Sequence, residues 1–250
     1  MNGVTSYAAE REPSSSDRGV TPYPELPLFE RHRTVLGLVE GDTILDVGCY
    51  TGTFVRAAVL CFPHKTVLGI DYSAEHIRAA QLLYPAMREH FRAMSVYKLA
   101  LGDASVDCIT LQETLEHLEG AALAVKELNR VLKLGGVLIV SVPNPYYVGR
   151  AARFVQIEIR NAWQRWRGRP QNLQPEMLSL EDEWDRHVHG WTPQTLLALL
   201  AHNGFQYVVH CYENGMRDAF RRSVLRLLPF LGPTLILKVR KIGPAPARLV

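Results

Sequence analysis

Apolar positions along this chain fall into two rhythms. Short β-branched and aliphatic runs are bounded by glycine, proline or acidic residues, and they alternate with stretches in which apolar residues recur every three to four positions. Thr43 to Val47 is the first short run, and Thr53 to Cys61 has helical spacing. The alternation continues with a strand over Thr66–Asp71, a helix over Ala74–Leu83, a short strand near His90 to Met94 and a strand over Val106–Leu111. A helix follows over Ala121–Leu132, with Leu123, Val125, Leu128, Val131 and Leu132 as its apolar stripe, and then a buried strand over Val137–Val142. Lys133-Leu134-Gly135-Gly136 reads as the basic last turn and glycine stop of that helix. A leading helix is predicted within Leu26–Val39. Thr192 and Pro193 are suited to cap and open another helix, which stops at Asn203-Gly204. Strands over Phe205–Cys211 and Thr234–Val239 complete the set as an antiparallel edge.

Strands alternating with helices of this length predict a doubly wound, Rossmann-like α/β fold: seven strands, mostly parallel, with helices on both faces. Residues 1–24 are rich in Ser, Pro and charge and read as a flexible tail, leaving 25–250 as one domain. The alternation breaks at about 145–190, which predicts a helical cap inserted at the ligand edge. Its first half is basic and aromatic (Arg150, Arg153, Trp163, Trp166, Arg169) and its second half acidic (Glu181, Asp182, Glu183, Asp185). Met216 to Leu228 reads as a basic amphipathic helix.

Composition changes this picture little. Apolar residues make up 47% and charged residues 21% of the 250, ordinary for a globular domain. A net charge of +3 is too small to imply nucleic acid. The four cysteines form no C-x-x-C pair, and buried, reduced thiols are expected. Without an apolar leader or an uninterrupted run of about 18 apolar residues, the expected setting is cytoplasmic. No ligand spacing for a metal is present, and none is expected.

The chemistry concentrates in Asp46-Val47-Gly48-Cys49-Tyr50-Thr51-Gly52, a strand end, a glycine-bearing turn and a helix start. Gly48 and Gly52 are expected to permit backbone angles and a close ligand approach that a Cβ would forbid. G-x-G-x-x-G is absent, so a nicotinamide dinucleotide is not indicated. Asp71 closes the second strand where a doubly wound fold places the acid that accepts both ribose hydroxyls, and Ser73 is the expected cap of the next helix.

The loop resembles motif I of the class I S-adenosylmethionine-dependent methyltransferases, D-x-G-x-G-x-G, matching at Asp46, Gly48 and Gly52 and departing at Tyr50. Ser95 to Asp107 is similar to that family's segment G-D-A-x-x-L-P-F-x-D-x-S-F-D, with Ser95 where an acid usually meets the adenine amino group. Glu113-Thr114-Leu115-Glu116-His117 looks like its E-x-L-E-H block, and Arg130 to Gly136 like R-V-L-K-P-G-G. The resemblance covers residues 43 to 144 and implies S-adenosylmethionine as cofactor. By it, Gly48, Cys49, Tyr50 and Gly52 line the methionine end with Asp46 near the ammonium. Asp71 and Tyr72 meet the ribose side, Ser95 and Val96 flank the adenine, and Gln112 and Glu113 close the strand end.

The implied reaction is methyl transfer to a small molecule, first of all to a hydroxyl oxygen of a sugar, phenolic or lipid-linked acceptor. His117 is one candidate base. His187 and His189 are others, because Asp185 can orient an imidazole at either position. Two alternatives stay open: a catalytically silent cofactor-binding protein, and an N-methyltransferase acting on a small molecule or nucleic acid. Nucleic acid is not the expected partner, peripheral membrane contact has no support, and the oligomeric state is not indicated.

Overall fold

The chain threads one sheet, helix after strand, from its first described helix onward. The computed structural model describes residues 27–147, 159–160, 162–164, 166–167, 189–213 and 227–246. Helix α1 spans Glu30–Leu38, followed by β1 (Thr43–Val47), α2 (Thr53–Cys61), β2 (Thr66–Asp71), α3 (Ala74–Leu83) and β3 (Phe91–Ala93). The second half adds β4 (Val106–Gln112), α4 (Ala121–Val131), β5 (Leu132–Pro143), α5 (Pro193–His202), β6 (Phe205–Tyr212) and β7 (Thr234–Lys241). The strand order is β3-β2-β1-β4-β5-β7-β6. Neighbours from β3 to β5 pair parallel, and β7 runs antiparallel to both β5 and β6.

Strand periodicity sorts the aliphatic residues onto two faces. In β5, Leu138, Val140 and Val142 join α4 and α5 through Val125, Leu128, Leu196 and Leu200. Val137 and Ile139 face the opposite layer, where α1, α2 and α3 contribute Val35, Val55, Ala58, Ile77 and Ala80. Burying one such side chain stabilises the fold by about 1.5–3 kcal/mol, so both helical layers are held chiefly by this contact. The order reverses direction between β1 and β4, which opens a crevice at their carboxyl ends.

Local signals hold where they are strong. Ser73 Oγ accepts from His76 N–H at 3.2 Å, and Thr192 Oγ1 accepts from Thr195 N–H at 3.2 Å. The expected glycine stop at Lys133–Gly136 is corrected. Helix α4 ends at Val131, and residues 132–136 already belong to β5. The pairing of β4 with β5 shifts register there, and Gly135 takes φ +79°. Lys133 Nζ donates to Asp107 Oδ1 at 2.7 Å, so the lysine serves a turn at the strand's amino end. The leading helix also starts later than expected, at Glu30. The tail, most of the cap and the basic helix from Met216 lie outside the described residues.

Candidate functional site

The site forms where β1 and β4, adjacent strands on either side of the switch point, end beside β2. Asp46 is 3% exposed, and the register places it opposite Thr110 of β4. Thr110 Oγ1 donates to Asp46 Oδ1 at 2.6 Å, and Gln112 Nε2 approaches the same oxygen at 3.5 Å. Burial pushes the Asp46 carboxyl up to about 7, against the pull of these two donors; Asp71 raises it slightly and Arg31 lowers it. The site therefore contains a buried acid that titrates near neutrality.

The loop after β1 is folded against the end of β2. Gly48 and Cys49 both donate their N–H to Ile70 O, at 2.8 and 2.9 Å. Tyr50 N–H donates to Asp71 Oδ2 at 3.0 Å. Asp71 Oδ1 accepts from Ser73 N–H at 2.9 Å and lies 3.3 Å from His76 Nδ1. Tyr50, with φ +49°, lays its ring edge-on to His76 at 4.5 Å between centroids. Among the described residues Tyr50, Ala104 and Glu113 are the non-glycine residues with positive φ, and two of these three stand at this crevice. Such conformations cost of order 1–3 kcal/mol and cluster where function needs them.

The backbone angles expected of Gly48 and Gly52 are found, and the packing gives a second reason for glycine at each. A Cβ at Gly48 would meet Thr114 Oγ1 at 2.3 Å, and one at Gly52 would meet Phe91 Cε1 at 2.4 Å. Both glycines make room for the protein itself, and both have left-handed backbones, φ +76° and +83°. Gly52→Ala is expected to destabilise the fold by about 2–4 kcal/mol through clash and backbone strain. Thermal denaturation should then show a midpoint lower by roughly 5–10 °C; an unchanged midpoint would contradict the contact.

The other sequence-predicted residues divide. The Cys49 side chain is buried in the α2–α3 layer, where burial, then Asp46 and Asp71, push its thiol well above its ordinary range. It stays protonated and serves packing. Val96 belongs to the opposite core layer, and Tyr72 is exposed on the rim. Ser95 is exposed, and its Oγ accepts from Tyr97 N–H at 3.3 Å. Arg130 holds the loop that follows, donating to Leu99 O at 3.0 Å and Leu101 O at 2.9 Å. Glu113 donates its N–H to Ser141 O at 3.0 Å.

Two of the three candidate bases touch Glu116, one through its ring and one through its backbone. His117 Nε2 lies 4.0 Å from Glu116 Oε1, and His189 N–H donates to Glu116 O at 3.1 Å. The His189 ring sits 5.3 Å from that of Trp191. His187 lies outside the described residues. Thr110 and His76 escaped the sequence reading. A threonine amid Cys108-Ile109-Leu111 was the available signal for the first, and the helical spacing after Asp71 for the second.

Among the described residues, Thr51 Oγ1, Thr53 Oγ1 and Gln112 Oε1 are buried without a hydrogen-bond partner. Buried polar atoms of this kind are rare in native proteins unless a ligand or water completes them. Three of them, beside two acids at a switch point, fit a polar, partly cationic nucleoside cofactor.

Comparison with known proteins agrees. Residues 45–140 match the family model described as a methyltransferase domain. A protein of Mycolicibacterium smegmatis named as a probable S-adenosylmethionine-dependent methyltransferase is 34% identical over 120 residues, covering 46% of this chain and 45% of that protein. The 2-methyl-6-phytyl-1,4-hydroquinone methyltransferase of Synechocystis is 32% identical over 148 residues, covering 59% and 41%. The chain thus spans under half the length of these curated relatives. An S-adenosylmethionine-dependent methyltransferase from Mesorhizobium loti shares the fold, with a TM-score of 0.55 at 20% identity over 84% of this chain and 96% of that one. Over residues 45–140 the chain is therefore similar to the class I S-adenosylmethionine-dependent methyltransferases, and S-adenosylmethionine is the cofactor that this likeness implies. No helix among the described residues is long and apolar enough to cross a membrane.

Proposed function

We propose that this chain transfers a methyl group from S-adenosylmethionine to a small-molecule acceptor, with a hydroxyl oxygen as the preferred atom. The observation that carries the reading is the pairing of Asp46 and Asp71 at adjacent strand ends, with the unpartnered Gln112 Oε1 beside them. Asp71 keeps acceptor capacity for a ribose hydroxyl besides the donors it already holds. Asp46 and Gln112 Oε1 offer two acceptors to an ammonium group. Tyr72, Ser95 and Val96 border the adenine side, and the turn from Gly48 to Gly52 follows the methionine end.

When bound, the cofactor supplies an electrophilic methyl group on a sulfonium. The chain has to orient an acceptor and remove its proton. The His117 ring approaches the Glu116 carboxylate and His189 holds the Glu116 backbone, and the imidazole of either residue is a candidate for that base. The Synechocystis relative is named for a hydroquinone, a phenolic acceptor, which supports oxygen-bearing rings as the first class to test.

The test is transfer of labelled methyl to a panel of sugars, phenols and lipid-linked alcohols, with amines and nucleic acids alongside. Labelled phenol or sugar product supports the reading, and labelled amine or nucleic acid alone overturns the choice of oxygen. Cofactor binding without transfer to any acceptor would instead mark a silent binding protein.

A further inference from the structure

We infer that Arg31, on the leading helix and outside the matched family segment, is the partner of the cofactor's methionine carboxylate. This rests on the proposed use of S-adenosylmethionine and adds to it a specificity residue from α1.

The methionine end of that cofactor is a zwitterion. Asp46 and Gln112 Oε1 suit its ammonium, but two acids in the crevice repel its carboxylate, so a cation has to stand near. Arg31 meets the description. It is half-buried, and its guanidinium makes no hydrogen bond to any described residue. Its Nε is inaccessible to solvent and unpartnered, a costly state for a charged donor. The guanidinium lies 4.8 Å above the Phe29 ring, which steadies its plane. Of the described basic side chains, Arg31 is the one whose charge lowers the pKa of Asp46.

The helix that carries it is tied on two sides, to the end of β6 and to the start of α2. Arg31 N–H donates to Glu213 Oε1 at 3.2 Å, and Glu213, just past the end of β6, is itself tied to Thr234 O through its N–H at 2.9 Å. Next along α1, His32 is buried with its ring 6.0 Å from that of Phe54, in the first turn of α2 beyond the Gly48–Gly52 loop. Burial, then the Arg31 charge, lowers His32 to about 4, so it stays neutral and its Nδ1 accepts from Phe29 N–H at 3.3 Å. With His32 neutral, the cations of this turn are Arg31 and the exposed Arg33, and of the two Arg31 has the buried, unpartnered nitrogen. A guanidinium whose Nε and an adjacent Nη are both available presents the two parallel donors that a carboxylate takes side-on.

The experiment titrates the full chain calorimetrically with S-adenosylhomocysteine and with S-adenosyl-3-thiopropylamine, which lacks only the carboxylate. Wild type should bind the amine about 10- to 100-fold more weakly than S-adenosylhomocysteine, the range for a charge-assisted pair. Arg31→Met should weaken S-adenosylhomocysteine by a similar factor and leave the amine unchanged, with Arg31→Lys in between. Equal weakening of both ligands would make Arg31 a support for α1 only and overturn the inference, as would no weakening of either. A wild-type chain that binds neither ligand would overturn the cofactor reading itself. Unligated thermal midpoints of both variants report whether α1 still folds.

Discussion

Replacing Asp71 with alanine is expected to weaken S-adenosylhomocysteine binding by about 100-fold or more. One carboxylate holds the Tyr50 and Ser73 N–H groups and touches His76, so it fixes the end of the motif loop and the start of α3 together. Its remaining acceptor capacity is what a ribose hydroxyl would use. Hydrogen bonds to a charged group contribute about 1.5–3 kcal/mol each, and losing a ribose contact along with the loop anchor spans two or more factors of ten. Asp71→Asn keeps the shape and one acceptor oxygen, and should fall between wild type and alanine. Calorimetric titration checks both, and an Asp71→Ala variant binding within threefold of wild type would rule out the ribose role.

The second large effect is one of pH. In the ligand-free protein Asp46 titrates at about 7, well above the ordinary carboxylate value of 3.8, because burial disfavours its charge. An ammonium ligand needs the charged form. Cofactor affinity should therefore climb about tenfold per pH unit between about pH 5 and 7 and level off above, as expected when binding requires loss of one proton. Asp46→Asn should bind weakly and lose this slope.

The stability of the free protein follows with the opposite sign. Between the unfolded and folded values of the group, the native state binds the extra proton, so stability falls as pH rises from about 4 to about 7. The fall is bounded at about 4 kcal/mol by the size of the shift. Denaturant unfolding at pH 5 and pH 8, on wild type and Asp46→Asn, measures it. Affinity for S-adenosylhomocysteine that is flat across this range would contradict the placement of Asp46 beside the ammonium.

What was legible in the chain was local. The run Thr43–Val47, the spacing of Thr53–Cys61 and the caps Ser73 and Thr192 each depend on neighbours a few residues away, and each is found where expected. The contacts that set the chemistry are not local. Thr110 meets Asp46 because parallel register brings together residues 64 positions apart. The charge of Arg31 is felt by the same acid because the fold sets α1 against α2 through His32 and Phe54. Glycine was legible only in part: its letter reports a need for space or positive φ without saying what fills the space. At Gly48 and Gly52 the neighbours are Thr114 and Phe91, and the Gly135-Gly136 pair, read as a helix stop, lies within β5.

The placement of β7 between β5 and β6 bears on the order of assembly during synthesis. Strand β6 lies at the end of the sheet with β7 as its neighbour there, and β7 emerges from the ribosome after it. Lys238 of β7 also donates to Leu38 O at 2.8 Å and pairs with Glu40, tying the segment after α1 to a residue 200 positions later. The core from β1 to β5 can form on the nascent chain, while β6 has to wait with its edge unpaired and α1 without its final anchor. Long-range closures of this kind are slow and leave edges exposed to other chains. Between the emergence of Phe205 and that of Lys241, the β6 edge lacks the neighbour it has in the finished sheet.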